Sequence, residues 1–376
     1  MYGRIKSLVI KEFLQLRRDT WARFRLTVPV LAQMIIFGYA ATFEVFNVST
    51  AVLDLDHTQE SRELISRFSF SGRFNIVKIA RTPADIRSAI DRSDASVAIV
   101  IQAGFAENLR KGQSAPVQII VDGTNSNTAL IALGYVNEIV ATYAQDMAQD
   151  LARRLHAGEP PPPQVTIEPR PWFNADYNSR WFFVPGVIAT LTLVMIVNLT
   201  SFAIVREREV GTLEQIMVTP IRPLEFILGK TIPFFCVGLA MTALIAGAGT
   251  LWFQIPFVGN PFVLLLGTSL YLLSVLGIGL LISTVCSTQQ QAFATNFFVI
   301  NPAFTLSGFS FPIASMPPFM QWLSSINPMT YYLVVIRGTF LKGVGLTVLW
   351  PQMLALAALG LVLLGLSILG FRKSLD

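Results

Sequence analysis

The chain has 376 residues, of which 53% are hydrophobic and only 14% charged, with a mean hydropathy of +0.56; this excludes an ordinary soluble domain and makes lipid its main solvent. The formal charge of +5 comes without an aromatic-interleaved basic module, so it makes no case for nucleic acid as a partner. Two cysteines in apolar runs, Cys236 and Cys286, and two distant histidines, His57 and His156, argue against both a disulfide framework and a metal centre.

Residues 1–25 carry seven basic side chains and no apolar run of span length. Ile5, Leu8, Val9, Phe13 and Leu16 recur at helical spacing opposite Lys6, Lys11 and Arg17, which predicts a helix lying in the cytoplasmic interface. Residues 26–46 form the first predicted span. They are read as a retained anchor, because the apolar run is span-long and has no small-residue cleavage site.

Residues 47–180 are the one polar block, and they form the expected inserted extracytoplasmic α/β domain. Apolar runs at 49–55, 75–80, 95–101 and 117–121 alternate with helical patterns at 58–70, 83–93 and 103–111. A long helical pattern from Ser126 to Leu155 would be about 45 Å in length. Glu159-Pro160-Pro161-Pro162-Pro163 then predicts a stiff extended linker.

Beyond it, 25 residues between Arg180 and Arg206 carry no charge, 106 between Lys230 and Arg337 carry neither charge nor histidine, and 29 between Lys342 and Arg372 carry no charge. A helix needs about 20 residues to cross about 30 Å of hydrocarbon. With breaks at Pro256 to Pro261, at Ser287 to Gln291 and at Pro312 to Pro318, the predicted spans are 181–205, 231–254, 261–285, 290–311 and 348–370. Together with 26–46 they make a membrane all-α bundle of six transmembrane helices. Residues 313–336, with Pro317, Pro318 and Pro328, are expected to form short helices dipping into the outer face. Basic flanks at the N-terminus, at 206–230 and at the 371–376 tail place all three on the cytoplasmic side; Arg337 and Lys342 fall outside, against that trend.

The charge-free spans offer no intramembrane acid, base or proton relay. Gly229-Lys230-Thr231 resembles the end of a phosphate-binding loop, but the glycine required five residues before Gly229 is Leu224, so no nucleotide is expected to bind here. The strongest local pattern runs from Arg206-Glu207-Arg208-Glu209-Val210-Gly211-Thr212-Leu213-Glu214 to Thr219-Pro220. As a helix over 206–220 it sets Val210, Leu213 and Met217 on one side and Glu207, Gly211 and Glu214 on another.

This segment resembles the E-R-E-x-G-T-L-E-x-x-x-x-T-P stretch that follows the second span in permease subunits of ABC-2 type ATP-binding-cassette exporters. A second, remote match joins Gly308, Pro312, Met316, Pro317, Asn327, Pro328, Arg337 and Gly338, and it resembles the outer re-entrant region of the same family. The resemblance covers spans two to six. It implies two permease subunits side by side, as homodimer or heterodimer, over two cytosolic ABC ATPase subunits that hold the ATP and Mg, with no cofactor in this chain and no enzyme activity of its own. It makes Arg206, Glu207, Arg208, Glu209, Gly211, Thr212, Glu214 and Pro220 the coupling element. A substrate route between the two permeases would be lined by Asn198, Thr200, Ser201, Asn296, Asn301 and Thr305, which could equally join helices within one subunit. The large outer domain favours the drug-efflux branch, with an amphipathic or apolar substrate, an inner-membrane location and a periplasmic adaptor with an outer-membrane channel as further partners. The alternatives are export of a lipid or polymer, or a membrane-anchored periplasmic sensor or scaffold.

Overall fold

The computed structural model describes residues 2–18, 20–40, 45, 47–155, 172–174, 178–211 and 223–373. The chain divides into two units, one made of residues 1–42 and 170–376 and the other of residues 43–169.

The first unit begins with helices α1 (Tyr2–Arg18) and α2 (Thr20–Ala40). The second unit contains β1 (Val48–Asp54), α3 (Gln59–Phe70), β2 (Phe74–Ala80), α4 (Pro83–Asp91), β3 (Val97–Ile101), α5 (Phe105–Arg110), β4 (Val117–Val121) and α6 (Ser126–Leu155). Its sheet has the order β2-β1-β3-β4, with β1 parallel to both β2 and β3 and β4 antiparallel to β3. Apolar residues alternate across β3: Val97, Ile99 and Ile101 join the core with α3, α5 and α6, while Ala98 and Val100 join a second core with α4. Local chemistry starts these helices. Thr58 and Ser61, and Thr82 and Asp85, form reciprocal capping boxes. The carboxylate of Asp56 accepts from the backbone N–H groups of Gly104, Phe105 and Ala106 at the start of α5. Burial pushes this carboxyl up, but those bonds and the Thr58 hydroxyl hold it below its ordinary value of 3.8.

The first unit resumes with α7 (Ser179–Glu209), α8 (Pro223–Trp252), α9 (Pro261–Val285), α10 (Gln289–Thr305), a 3₁₀ turn (Ile313–Ser315), α11 (Pro318–Ser325), α12 (Pro328–Arg337), a π turn (Gly338–Lys342) and α13 (Leu346–Lys373). Asn178, Asn260, Thr288 and Asn327 each accept a backbone N–H and so start α7, α9, α10 and α12. Pro261 and Pro328 hold the first turns they enter. Among the described residues, four helices are long and apolar enough to cross a membrane: α7, α8 from Leu224, α9, and α13 from Leu346 to Phe371.

Two of the six expected spans are not seen at full length. For 26–46 the described residues give the apolar stretch Thr27–Tyr39 within α2, and residues 41–44 and 46 lie outside the described residues. The span expected at 290–311 is a 17-residue helix that stops at Thr305, because Leu306 caps it and Gly308 takes a left-handed φ of 83°. Residues 313–336 form short helices, each broken by a proline at its start.

The core of this unit is built on α7 and α9. Tyr271 of α9 stacks on Tyr332 of α12 with ring centroids 4.1 Å apart and donates to the Ala189 carbonyl of α7 at 3.1 Å. Ser274 of α9 donates to the Leu356 carbonyl of α13 at 3.0 Å, and Thr192 and Thr242 pair at 3.1 Å between α7 and α8. Small hydroxyl residues thus join apolar helices without introducing a charge.

Candidate functional site

The last turn of α7 holds Arg206, Glu207, Arg208 and Glu209. Successive side chains on a helix diverge by about 100°, so the four cannot face one partner. Arg206 is exposed. Glu207 turns inward, where its Oε1 is 2.8 Å from the Lys230 ammonium of α8 and 3.6 Å from that of Lys11. Lys230 also lies 2.8 Å from Glu12 of α1, and the Lys230 and Glu12 side chains are only 6% and 7% exposed. Arg208 donates to the Cys286 carbonyl at 2.9 Å, past the end of α9, where a cation suits the negative pole of a helix. Glu209 accepts from the side-chain amide of Gln289 at 2.8 Å, at the start of α10.

The charged turn therefore fastens α7 to α1, α8, α9 and α10. A second pair, Arg4 with the buried Glu225 at 3.7 Å, repeats the α1 to α8 link. Between the two pairs the helices nearly touch: a Cβ at Gly229 would lie 2.7 Å from that of Leu8, so only glycine admits this approach. The Gly229-Lys230-Thr231 string is thus a helical contact, with Lys230 shared between two acids and Lys11 adding a second cation beside Glu207, in a place where any one of these charges alone would be costly to bury.

The helix expected over 206–220 is not continuous. It ends at Glu209 with Val210 as cap, and Gly211 takes φ 79°, which breaks the helical path. Glu207 and Glu214 therefore do not share one face of an unbroken helix. Thr212, Glu214 and Pro220 lie outside the described residues.

Of the expected route residues, Asn296 donates to Asn198 at 2.9 Å and to Ser201 at 2.8 Å, joining α10 to α7 inside one chain. Thr200 is buried and bonds the Ile196 carbonyl. Asn301 and Thr305 remain on the exposed side of α10, in line with the exposed Phe297 and Phe298. In the other motif, Asn327 caps α12 and donates to the Ala303 carbonyl of α10 at 2.6 Å, while Pro312 and Pro317 begin short turns and Gln321 bonds the Met316 carbonyl. Gly338, after Arg337, opens the π turn.

One feature escaped the sequence reading. A cavity of about 380 Å³ lies between α8, α9 and α12, lined by Ala246, Thr250, Thr268, Tyr332 and Phe340 among others. The small residues Ala243, Ala246, Gly247 and Thr250, spaced along one stripe of α8, were its available signal.

Four apolar helices of span length, fastened at one end by a charge cluster, have the make-up of a multi-span membrane protein, and the chain belongs to the ABC-2 family: it matches the family described as "ABC-2 family transporter protein" over residues 26–369. It is similar to "Probable multidrug ABC transporter permease YbhR" of Escherichia coli (strain K12), 36% identical over 353 residues, covering 94% of each chain. It is also similar to "Probable multidrug ABC transporter permease YbhS" of the same strain, 31% identical over 100% of this chain and 98% of that one, and to "Inner membrane transport permease YhhJ", 28% identical over 99% and 97%. The chain is accordingly a membrane permease component of an ABC-2 type transporter, a transport subunit rather than an enzyme.

Proposed function

We propose that this chain is the transmembrane half of an exporter that moves an amphipathic or apolar substrate from the cytoplasm or inner leaflet, driven by ATP hydrolysed on separate cytosolic subunits. In this reading α2, α7, α8, α9, α10 and α13 are the six spans, both termini are cytoplasmic, and residues 43–169 stand in the periplasm of a cell with an inner membrane. Two permease copies, or two different permeases, flank the route, and a periplasmic adaptor and outer-membrane channel complete the path. The multidrug names of two relatives support the efflux branch over lipid or polymer export.

The observation that carries this reading is the Glu12–Lys230–Glu207 cluster, whose Glu207 and Lys230 flank residues 212–222 in the chain. It makes α1, α7 and α8 one mechanical piece, so force applied by an ATPase at that segment reaches α7 without being lost in a loose joint. Docking itself falls to Arg206 and to Thr212, Glu214 and Pro220, since Glu207, Arg208 and Glu209 are engaged within the chain. The substrate route runs along the exposed α10 face carrying Asn301 and Thr305.

The test is purification of the chain with and without its co-expressed ATPase, reconstituted in proteoliposomes. Without the ATPase the chain should show no saturable ATP turnover. With it, turnover should rise with an amphipathic substrate panel, and Glu214→Lys should reduce co-purification while insertion stays normal. Saturable turnover by the chain alone overturns the reading.

A further inference from the structure

Three cations sit at the end of the helical unit remote from the Glu207 cluster: Arg180 at the start of α7, Arg337 at the end of α12 and Lys342 at the end of the π turn. They include the two basic residues that defy the basic-inside trend of the sequence. Each rests on an aromatic ring. Arg180 is 5.3 Å from the Tyr39 centroid, Lys342 is 5.7 Å from that of Phe173, and Arg337 is 3.8 Å from Phe182 and 6.0 Å from Phe309.

No ion pair is made by any of the three among the described residues. The acids of this unit among those residues are Glu12, Glu207, Glu209 and Glu225. Glu207 and Glu209 end α7, on the order of 35 Å from Phe182 at 1.5 Å per residue; Glu12 and Glu225 belong to the same cluster of pairs.

Arg337 is the most committed of the three. Its Nε and Nη2 are sealed from solvent with no acceptor, while the residue as a whole stays partly exposed. A ring face offsets part of the charge but accepts none of the N–H groups in ordinary hydrogen-bond geometry. The slot is kept clear by Gly186: a Cβ there would meet Phe309 at 2.2 Å and Arg337 Nη2 at 3.3 Å. With Nε and Nη2 enclosed, Nη1 is the donor nitrogen that an outside group can reach, and a guanidinium fixed by rings on its faces can there meet an oxygen of a planar or tetrahedral oxyanion.

We propose that Arg337, walled by Phe182 and Phe309, is a binding site for one phosphate or carboxylate group of an amphipathic anion, with Arg180 and Lys342 supplying a basic rim. The anion's apolar part lies along the rings and the lipid-facing helices, and its charged group supplies an acceptor that none of the described residues provides. The site needs only that the chain lie in a bilayer, and it stands whether or not the docking segment works as proposed.

The test is native mass spectrometry of the full chain in detergent, titrated with phosphatidylglycerol, phosphatidylcholine, dodecyl phosphate and inorganic phosphate, for the wild type and for Arg337→Gln, Arg337→Lys and Phe182→Leu. Wild type should retain phosphatidylglycerol at least tenfold more tightly than phosphatidylcholine, and Arg337→Gln should lose that preference. Arg337→Lys should keep part of it. Phe182→Leu leaves the charge in place and should weaken binding severalfold, which keeps the question answerable if Arg337→Gln folds poorly. Competition by dodecyl phosphate marks any single-chain anion, including cargo, as a ligand; its failure to compete marks a glycerophospholipid, and displacement by inorganic phosphate marks free phosphate as the source. Equal affinity for the two phospholipids, or phosphatidylglycerol binding that both Arg337→Gln and Phe182→Leu leave unchanged, overturns the proposal.

Discussion

Lys230 shows how one residue can be indispensable to a cluster without making that cluster a source of stability. Two carboxylates share its ammonium at 2.8 Å each, and all three side chains are largely enclosed. Removing the cation strands both acids, so Lys230→Met should destabilise the chain by about 3–5 kcal/mol, read as a lowered melting temperature in detergent. Changing Glu12 and Glu207 to Gln together with Lys230→Met should recover most of the loss, and a triple variant as unstable as the single one would refute the electrostatic account. None of this was legible in the sequence. Glu207 reads as a docking acid of the coupling element, Glu12 falls within a helix expected in the interface and Lys230 reads as part of a false nucleotide motif; their meeting is set by the close pass of α1 over Gly229, which depends on tertiary packing. Arg337 was conspicuous as the charge that ends a 106-residue uncharged stretch, but the rings around it come from two other segments and left no local trace.

Elements were legible where a simple period repeats. The strands β1 to β4 fall within two residues of the apolar runs at either end, because a buried strand needs only side-chain alternation or a short β-branched block. Three helix starts were marked by a capping residue followed by proline: Thr82-Pro83, Asn260-Pro261 and Asn327-Pro328. Helix ends were harder: Leu306 to Phe311 is as apolar as the span before it, and hydropathy does not register that Gly308 turns left-handed. The same blindness merged the end of α7 with the segment beyond Gly211. At this scale the α1 to α8 contact is the most consequential joint. Gly229→Val should wedge α1 away from α8 by forcing branched methyls against Leu8. The expected result is faster cleavage within residues 1–25 during limited proteolysis and a severalfold drop in substrate-stimulated ATPase of the reconstituted complex, with Gly229→Ala milder in both. Unchanged proteolysis in the valine variant would show that α1 is not held by that approach.

For the whole molecule, the division of charge decides which parts lie in water, and direct labelling can check the proposed orientation. Cys236 is exposed, so the experiment starts from a chain with both native cysteines replaced by serine. A cysteine at Arg110 should react with a membrane-impermeant maleimide added to intact spheroplasts, whereas one at Thr212 should react only after permeabilisation. Reaction at 212 from outside would reverse the arrangement of the coupling segment.

The lysine that binds Glu12 to Glu207 also imposes an order of events on the growing chain. Glu12 leaves the ribosome first, Glu207 much later, and their shared cation only after that. Every truncated or stalled product of 207 to 229 residues therefore carries both acids with no Lys230 to meet them. Closure of the cluster then reports that α1, α7 and α8 have all arrived, and a nascent chain that has not reached this point leaves Glu12 and Glu207 without the cation they share.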